Sequence, residues 1–222
     1  IKASADLATE QGTCPGAVET KYGDGILPID TYKKDVDELV PHKERMAWTS
    51  LRKQLKETGI KNSTLMALMP AETSAQISNS TNGIEPPRDH LSVKKSKKGT
   101  LKQVVPQYQM LKNFYTLLWD MPSNEGYIKV VAVMQKFFDQ AISGNWSYNP
   151  ENYENGEVPI SVMAKDLLNT YKYGWKTSYY QNTMDGKTED VVKDENSAMN
   201  DYVPPMISSP NTDEEDCDAC AI

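Results

Sequence analysis

The sequence predicts an α/β body followed by an acidic tail without regular structure. Three observations predict it. Two long stretches carry apolar residues at helical spacing, a few short apolar or aromatic runs have strand character, and the charge balance changes sharply near residue 185. The chain has 222 residues, 38% of them hydrophobic, which suits one large domain or two small ones.

Taken in chain order, GILPID supplies a first candidate strand, and Ala47 to Thr58 a helix closed by Gly59. TLMALM, directly ahead of Pro70, reads as a second strand, and AETSAQ as the helix that follows it. The basic run KKSKK at 94–98 has no interleaved aromatics and reads as a solvated turn rather than a nucleic-acid patch. Gln107 to Trp119 is a further helical stretch. NEGYIKVVAVMQKFFDQAIS places Tyr127, Val130, Val131, Met134, Phe137, Phe138 and Ala141 on one helical face. A second amphipathic helix enters at Val158-Pro159 and aligns Ile160, Met163, Ala164, Leu167, Leu168, Tyr171 and Trp175. Both stripes read as core. KTSYYQNT is the last strand, and no internal repeat is present.

From Asp185 onward eleven acids face two lysines, a net of −9, whereas residues 1–184 hold 22 basic and 20 acidic side chains, a net of +2. The acidity therefore belongs to the tail. Its polar residues and Pro204, Pro205 and Pro210 predict a disordered segment over 185–222, separate from a folded unit over 1–184. A flexible tether of about 35 residues reaches roughly 30 Å. The tail ends EEDCDACAI, so Cys217 and Cys220 form a C-x-x-C pair at its tip. Three cysteines make no disulfide framework, which points to a reducing, cytoplasmic setting. No run approaches the ~20 apolar residues of a membrane helix. A membrane or nucleic-acid partner is not expected. The first residue, Ile1, suggests a processed product or a piece of a longer reading frame.

Two stretches have the residue types for chemistry. A helix start at Pro70, Ala71, Glu72, Thr73 and Ser74 offers backbone N–H groups and hydroxyls to an anion. It equally suits an ordinary helix start, and Glu72 would repel a phosphate its side chain faced. The adjacent phenols Tyr179 and Tyr180 suit a pleated segment, yet can also pass a one-electron oxidation between them. The residues alone leave both choices open. For the C-x-x-C pair, an independent thiol oxidoreductase and a non-catalytic binding module are the alternatives, but only two cysteines lie close together and the histidines, His42 and His90, are distant in sequence, which argues against a four-ligand zinc site.

The segments IKASADLATEQG, GILPIDTYKKD, NSTLMALMPAETSAQISNSTNGIEPPR, KQVVPQY, DLLNTYKYG and TSYYQNTMDG, with the acidic tail and terminal cysteines, resemble the C-terminal part of the large subunit of class I ribonucleotide reductase. That resemblance covers essentially the whole chain. It implies the second half of a ten-stranded α/β barrel that reduces ribonucleoside diphosphates by radical chemistry. It implies that Pro70–Ser74 hold the substrate diphosphate, and that Tyr179 and Tyr180 relay a radical from a small subunit, which carries the metal-radical cofactor. Cys217 and Cys220 are then the shuttle dithiol recharged by thioredoxin or glutaredoxin. No cofactor or metal is implied on this chain. The family's catalytic cysteine sits in an N-x-C-x-E motif, and Cys14, in GTCPG, does not match it, which makes Cys14 a structural thiol. The resemblance thus implies a missing N-terminal portion, as in a naturally split subunit of the viral kind, working in the host cytoplasm, or in a truncated one. The helix from Ile160 to Trp175 is the expected docking surface for the small subunit.

Overall fold

The computed structural model describes residues 1–96 and 99–184. The predicted disordered tail and its cysteine pair, Cys217 and Cys220, lie outside these residues. Seven α-helices occur among them: α1 (Lys2–Gln11), α2 (Pro28–Thr31), α3 (Trp48–Thr58), α4 (Glu72–Ile77), α5 (Tyr108–Leu111), α6 (Glu125–Gln135) and α7 (Ile160–Tyr173). The strands are β1 (Leu91–Ser96), β2 (Gly99–Val104), β3 (Ser143–Tyr148) and β4 (Thr177–Thr183). β1 and β2 form an antiparallel hairpin, and β3 and β4 pair in parallel. Leu68 adds a parallel bridge to Ile142, just before β3. Mixed α/β content is thus observed, and these strands do not close into a barrel among the described residues.

Two buried clusters organise the described body. Ala5 of α1, Leu51 and Leu55 of α3, and Ala17, Tyr22, Leu27, Ile29 and Ile60 make the first. Cys14 packs partly buried against it, consistent with a structural thiol. The second surrounds α6 and β3 and contains Tyr127, Ile128, Val131, Ala132, Ile142, Trp146, Tyr148 and Trp175. Burying an aliphatic or aromatic side chain contributes about 1.5–3 kcal/mol. These clusters are the main source of stability for the body.

Several elements differ from the sequence-based expectations. GILPID contains the short helix α2 rather than a strand, because Pro28 starts a turn whose Asp30 carboxylate accepts from the Leu27 N–H at 2.8 Å. TLMALM contributes only the bridge at Leu68. KKSKK is no simple turn, since Lys94 to Ser96 complete β1. Gln107–Trp119 breaks into α5 and two 3-10 turns, and α1 has no clear apolar stripe to signal it.

The two long amphipathic stretches also differ. The first stops at Gln135, after which Gln135 Nε2 donates to the Gln140 carbonyl and Gln135 Oε1 accepts from the Ile142 N–H, turning the chain into β3. Its buried face is Tyr127, Ile128, Val131, Ala132 and Gln135, while Val130 and Phe137 are exposed. In α7 the predicted stripe is largely uncovered: Ile160, Ala164, Leu167, Leu168 and Tyr171 are exposed. Asp166 and Thr170 are buried instead. Gly174, at φ 80, ends α7 in the left-handed region, and its N–H donates to the Thr170 carbonyl at 3.1 Å. A side chain there would overlap Lys33. Trp175 then anchors the turn into β4 by donating from Nε1 to the Ile142 carbonyl at 2.7 Å.

Candidate functional site

Leu68 delivers the chain to the predicted anion-binding start. Its N–H donates to the Ala141 carbonyl and its own carbonyl accepts from the Ser143 N–H. Asp139 secures the approach: its carboxylate accepts from the N–H groups of Leu65 and Met66 and from the Tyr22 hydroxyl. Burial raises the Asp139 carboxyl, but these hydrogen bonds, with one from the Gln140 N–H, outweigh it and hold its pKa below the usual range. Pro70 and Ala71 precede α4, and the Ala71 N–H donates to the Asn82 carbonyl at 2.7 Å. No side chain caps α4, and Thr73 and Ser74 are exposed on its first turn. That leaves hydroxyls and helix-start N–H groups open to an approaching anion.

Tyr179 and Tyr180 both lie on β4, and both are more than half exposed. Their ring centroids are 4.2 Å apart at an interplanar angle of 54°, and the Tyr180 hydroxyl donates to the Tyr179 hydroxyl at 3.4 Å. That hydrogen bond raises the Tyr180 pKa. Adjacent residues of a regular strand point to opposite faces. A β-bulge removes that constraint here. Gly144 pairs with Ser178 and Trp146 with Gln181, so one residue of β3, Asn145, stands against two of β4, Tyr179 and Tyr180. Gly144 is dictated by close approach, because a Cβ would overlap the Tyr127 hydroxyl and lie 2.9 Å from Trp175 Cζ2.

The register relates the two predicted sites. Leu68 pairs with Ile142, two residues before Gly144, which pairs with Ser178. Pro70 follows the bridged Leu68 by two residues, and the tyrosine pair follows Ser178 directly. Two cavities, of about 530 and 390 Å³, open elsewhere, and neither is lined by Pro70–Ser74 or by the tyrosines. Sequence reasoning missed Asn145 and Glu85, which flank the bulge. No spacing or residue type signalled them.

The bridge at Leu68 and the parallel pair β3–β4 thus form a short α/β arrangement that leads into α4 from one strand and carries the phenol pair on another. The family model for the ribonucleotide reductase barrel domain matches residues 1–181. This chain belongs to that family. It is 61% identical to the ribonucleoside-diphosphate reductase subunit alpha of Haemophilus influenzae over 194 residues, 87% of this chain and 26% of that protein. The ribonucleoside-diphosphate reductase 1 subunit alpha of Escherichia coli is 56% identical over 87% of this chain and 25% of its own length. The subunit alpha of Enterobacteria phage T4 is 42% identical over 100% of this chain and 28% of its own. The chain spans about a quarter of the length of these curated relatives.

Proposed function

We propose that this chain is the C-terminal part of a class I ribonucleoside-diphosphate reductase large subunit, and that it works in the reduction of ribonucleoside diphosphates to deoxyribonucleotides. The observation that carries this reading is the contact between the Tyr179 and Tyr180 phenols, 3.4 Å apart on an exposed strand of a reductase-family chain. Two phenols at this separation can exchange a hydrogen atom. One becomes a phenoxyl radical as the other regains its proton and electron, and the number of unpaired electrons is unchanged. A small-subunit partner, with its metal-radical cofactor, supplies the oxidising equivalent.

The other roles follow the same reading. Pro70–Ser74 hold the substrate diphosphate through helix-start N–H groups and the Thr73 and Ser74 hydroxyls. The Cys217–Cys220 dithiol regenerates the active-site thiols. One thiolate attacks the active-site disulfide to give a mixed disulfide, and the second thiol displaces it. The products are a reduced active-site pair and a Cys217–Cys220 disulfide, which thioredoxin or glutaredoxin reduces in turn. The acidic segment 185–222 is the tether that carries it.

The remaining reductase supplies what this chain leaves open. Parallel strands are commonly covered on both faces, yet Tyr179, Tyr180 and Gln181 of β4 are exposed. This supports an N-terminal portion, carrying the catalytic cysteine, that completes a ten-stranded barrel of which 1–184 is the second half. The exposed apolar face of α7 runs directly into β4, which favours small-subunit docking on α7, beside the first tyrosine of the relay.

Reconstitution tests the reading. The chain is combined with an N-terminal large-subunit portion, a small subunit and a thioredoxin system, and diphosphate reduction is measured. Tyr180→Phe should abolish turnover with substrate binding intact, because phenylalanine cannot form the phenoxyl radical. Turnover retained by that variant would refute the relay.

A further inference from the structure

The bulge that unites the tyrosines leaves one backbone donor outside the β3–β4 ladder, and one side chain answers it. Asn145 Oδ1 accepts from the Tyr180 N–H at 3.0 Å. On its other side, Asn145 Nδ2 donates to Glu85 Oε1. We propose that Asn145, oriented by Glu85, is the positioning residue of the tyrosine pair: it clamps the bulge that brings both phenols into contact. The inference rests on the relay reading for its functional consequence, though the clamp itself is a matter of geometry.

The chemistry of the three groups sets the orientation of the amide. A backbone N–H can only donate, so it selects the Asn145 oxygen. A carboxylate can only accept, so Glu85 selects the Asn145 NH₂ group. Both neighbours demand the same orientation of the amide. Without the clamp, the Tyr180 N–H would be left without this partner. The bulge could then relax toward regular alternation, which sends neighbouring side chains to opposite faces.

Glu85 is itself held in place. It is half-buried, and burial raises its carboxyl above the usual range against the opposing influence of Asn145 and Arg88. It also belongs to the loop whose Asn82 carbonyl accepts from the Ala71 N–H. The clamp and the start of α4 therefore share one loop. The buried Tyr127 ring packs edge-on against Trp175, with centroids 5.6 Å apart, and leaves no space for a side chain at Gly144. Gly144, the residue before Asn145, is thereby closely packed against both rings.

The test exchanges hydrogen-bond polarity in the full-length large subunit assembled with its small subunit. Asn145→Asp opposes two carboxylates at the clamp. Turnover should fall by about a hundredfold, the scale on which a ~1 Å misplacement costs rate, while KM for the diphosphate and affinity for the small subunit hold. In the double variant Glu85→Gln/Asn145→Asp, the carboxylate at position 145 accepts from both the side-chain amide at position 85 and the Tyr180 N–H. Turnover should recover most of the loss. Hydrogen exchange of the Tyr180 amide reads the clamp without turnover: Asn145→Ala should accelerate it by roughly five- to tenfold, the loss of one ~1 kcal/mol hydrogen bond. Wild-type turnover in Asn145→Asp, or no recovery in the double variant, would overturn the positioning role. Unchanged amide exchange in Asn145→Ala would overturn the clamp. Active Tyr180→Phe with accelerated exchange would instead remove the relay and leave the clamp standing.

Discussion

Helices α6 and α7 have closely similar apolar spacing, and the fold treats them in opposite ways. α6 buries Tyr127, Ile128, Val131 and Ala132 in the cluster beneath β3. α7 turns Ile160, Leu167, Leu168 and Tyr171 outward and buries Asp166 and Thr170. The inward side of α7 packs Val162, Met163 and Tyr173 against the core and adds a polar network: Asp166 Oδ2 accepts from Asn124 Nδ2 at 3.0 Å and from the Tyr148 hydroxyl at 3.1 Å, and Asn124 Oδ1 accepts from the Ser147 N–H at 2.9 Å. Burial, with Asp166 next, raises the Tyr148 pKa, so its hydroxyl remains a donor. A stripe at helical spacing shows that a face avoids water. It does not say whether the cover comes from the same chain.

The sharpest way to break this contrast is in α6. Ile128→Ala removes a fully buried side chain, and its denaturant midpoint should correspond to a loss of about 2–5 kcal/mol. A loss below about 1 kcal/mol would mean that α6 is not the organising helix. Next comes the polar side of α7. Asp166→Ala leaves the Asn124 amide and the Tyr148 hydroxyl without their acceptor in a buried site, and should cost about 1–3 kcal/mol. The smallest effect belongs to the apolar side of α7, where Leu168→Ala should change the stability of this chain by less than about 0.5 kcal/mol. A larger loss, measured the same way, would place that leucine in an intrachain core and remove the contrast.

Legibility in the sequence followed the range of the interactions. α3 and its closing Gly59, the existence of α6 and α7, and strand character at TSYYQNT were all readable, because helix spacing, glycine caps and aromatic strand residues act locally. Strand β3, SGNWSY, was not read from the sequence; it begins at Ser143, where the helical pattern ends. It forms because Gln135 turns the chain and because Leu68 and β4 offer partners on either side. The start of α4 at Glu72 was legible, and so was the candidacy of the tyrosines. Their contact was not. Alternation along a strand argues against two neighbouring side chains meeting, and only the register shift opposite Asn145 permits it.

By itself, the sequence determined the family and singled out the candidate residues: the PAETS start, the adjacent phenols, the terminal C-x-x-C pair and the change of charge at residue 185. These are properties of composition and short motifs, written in adjacent residues. The tertiary structure decided which side of α7 faces out, where β3 begins, and that Tyr179 and Tyr180 touch. Each depends on partners distant in the chain, such as Asp166 with Asn124, Ile142 with Leu68, and Asn145 with Tyr180 and Glu85. A side chain's direction in a strand is set by pairing register, and register exists only once two segments have met.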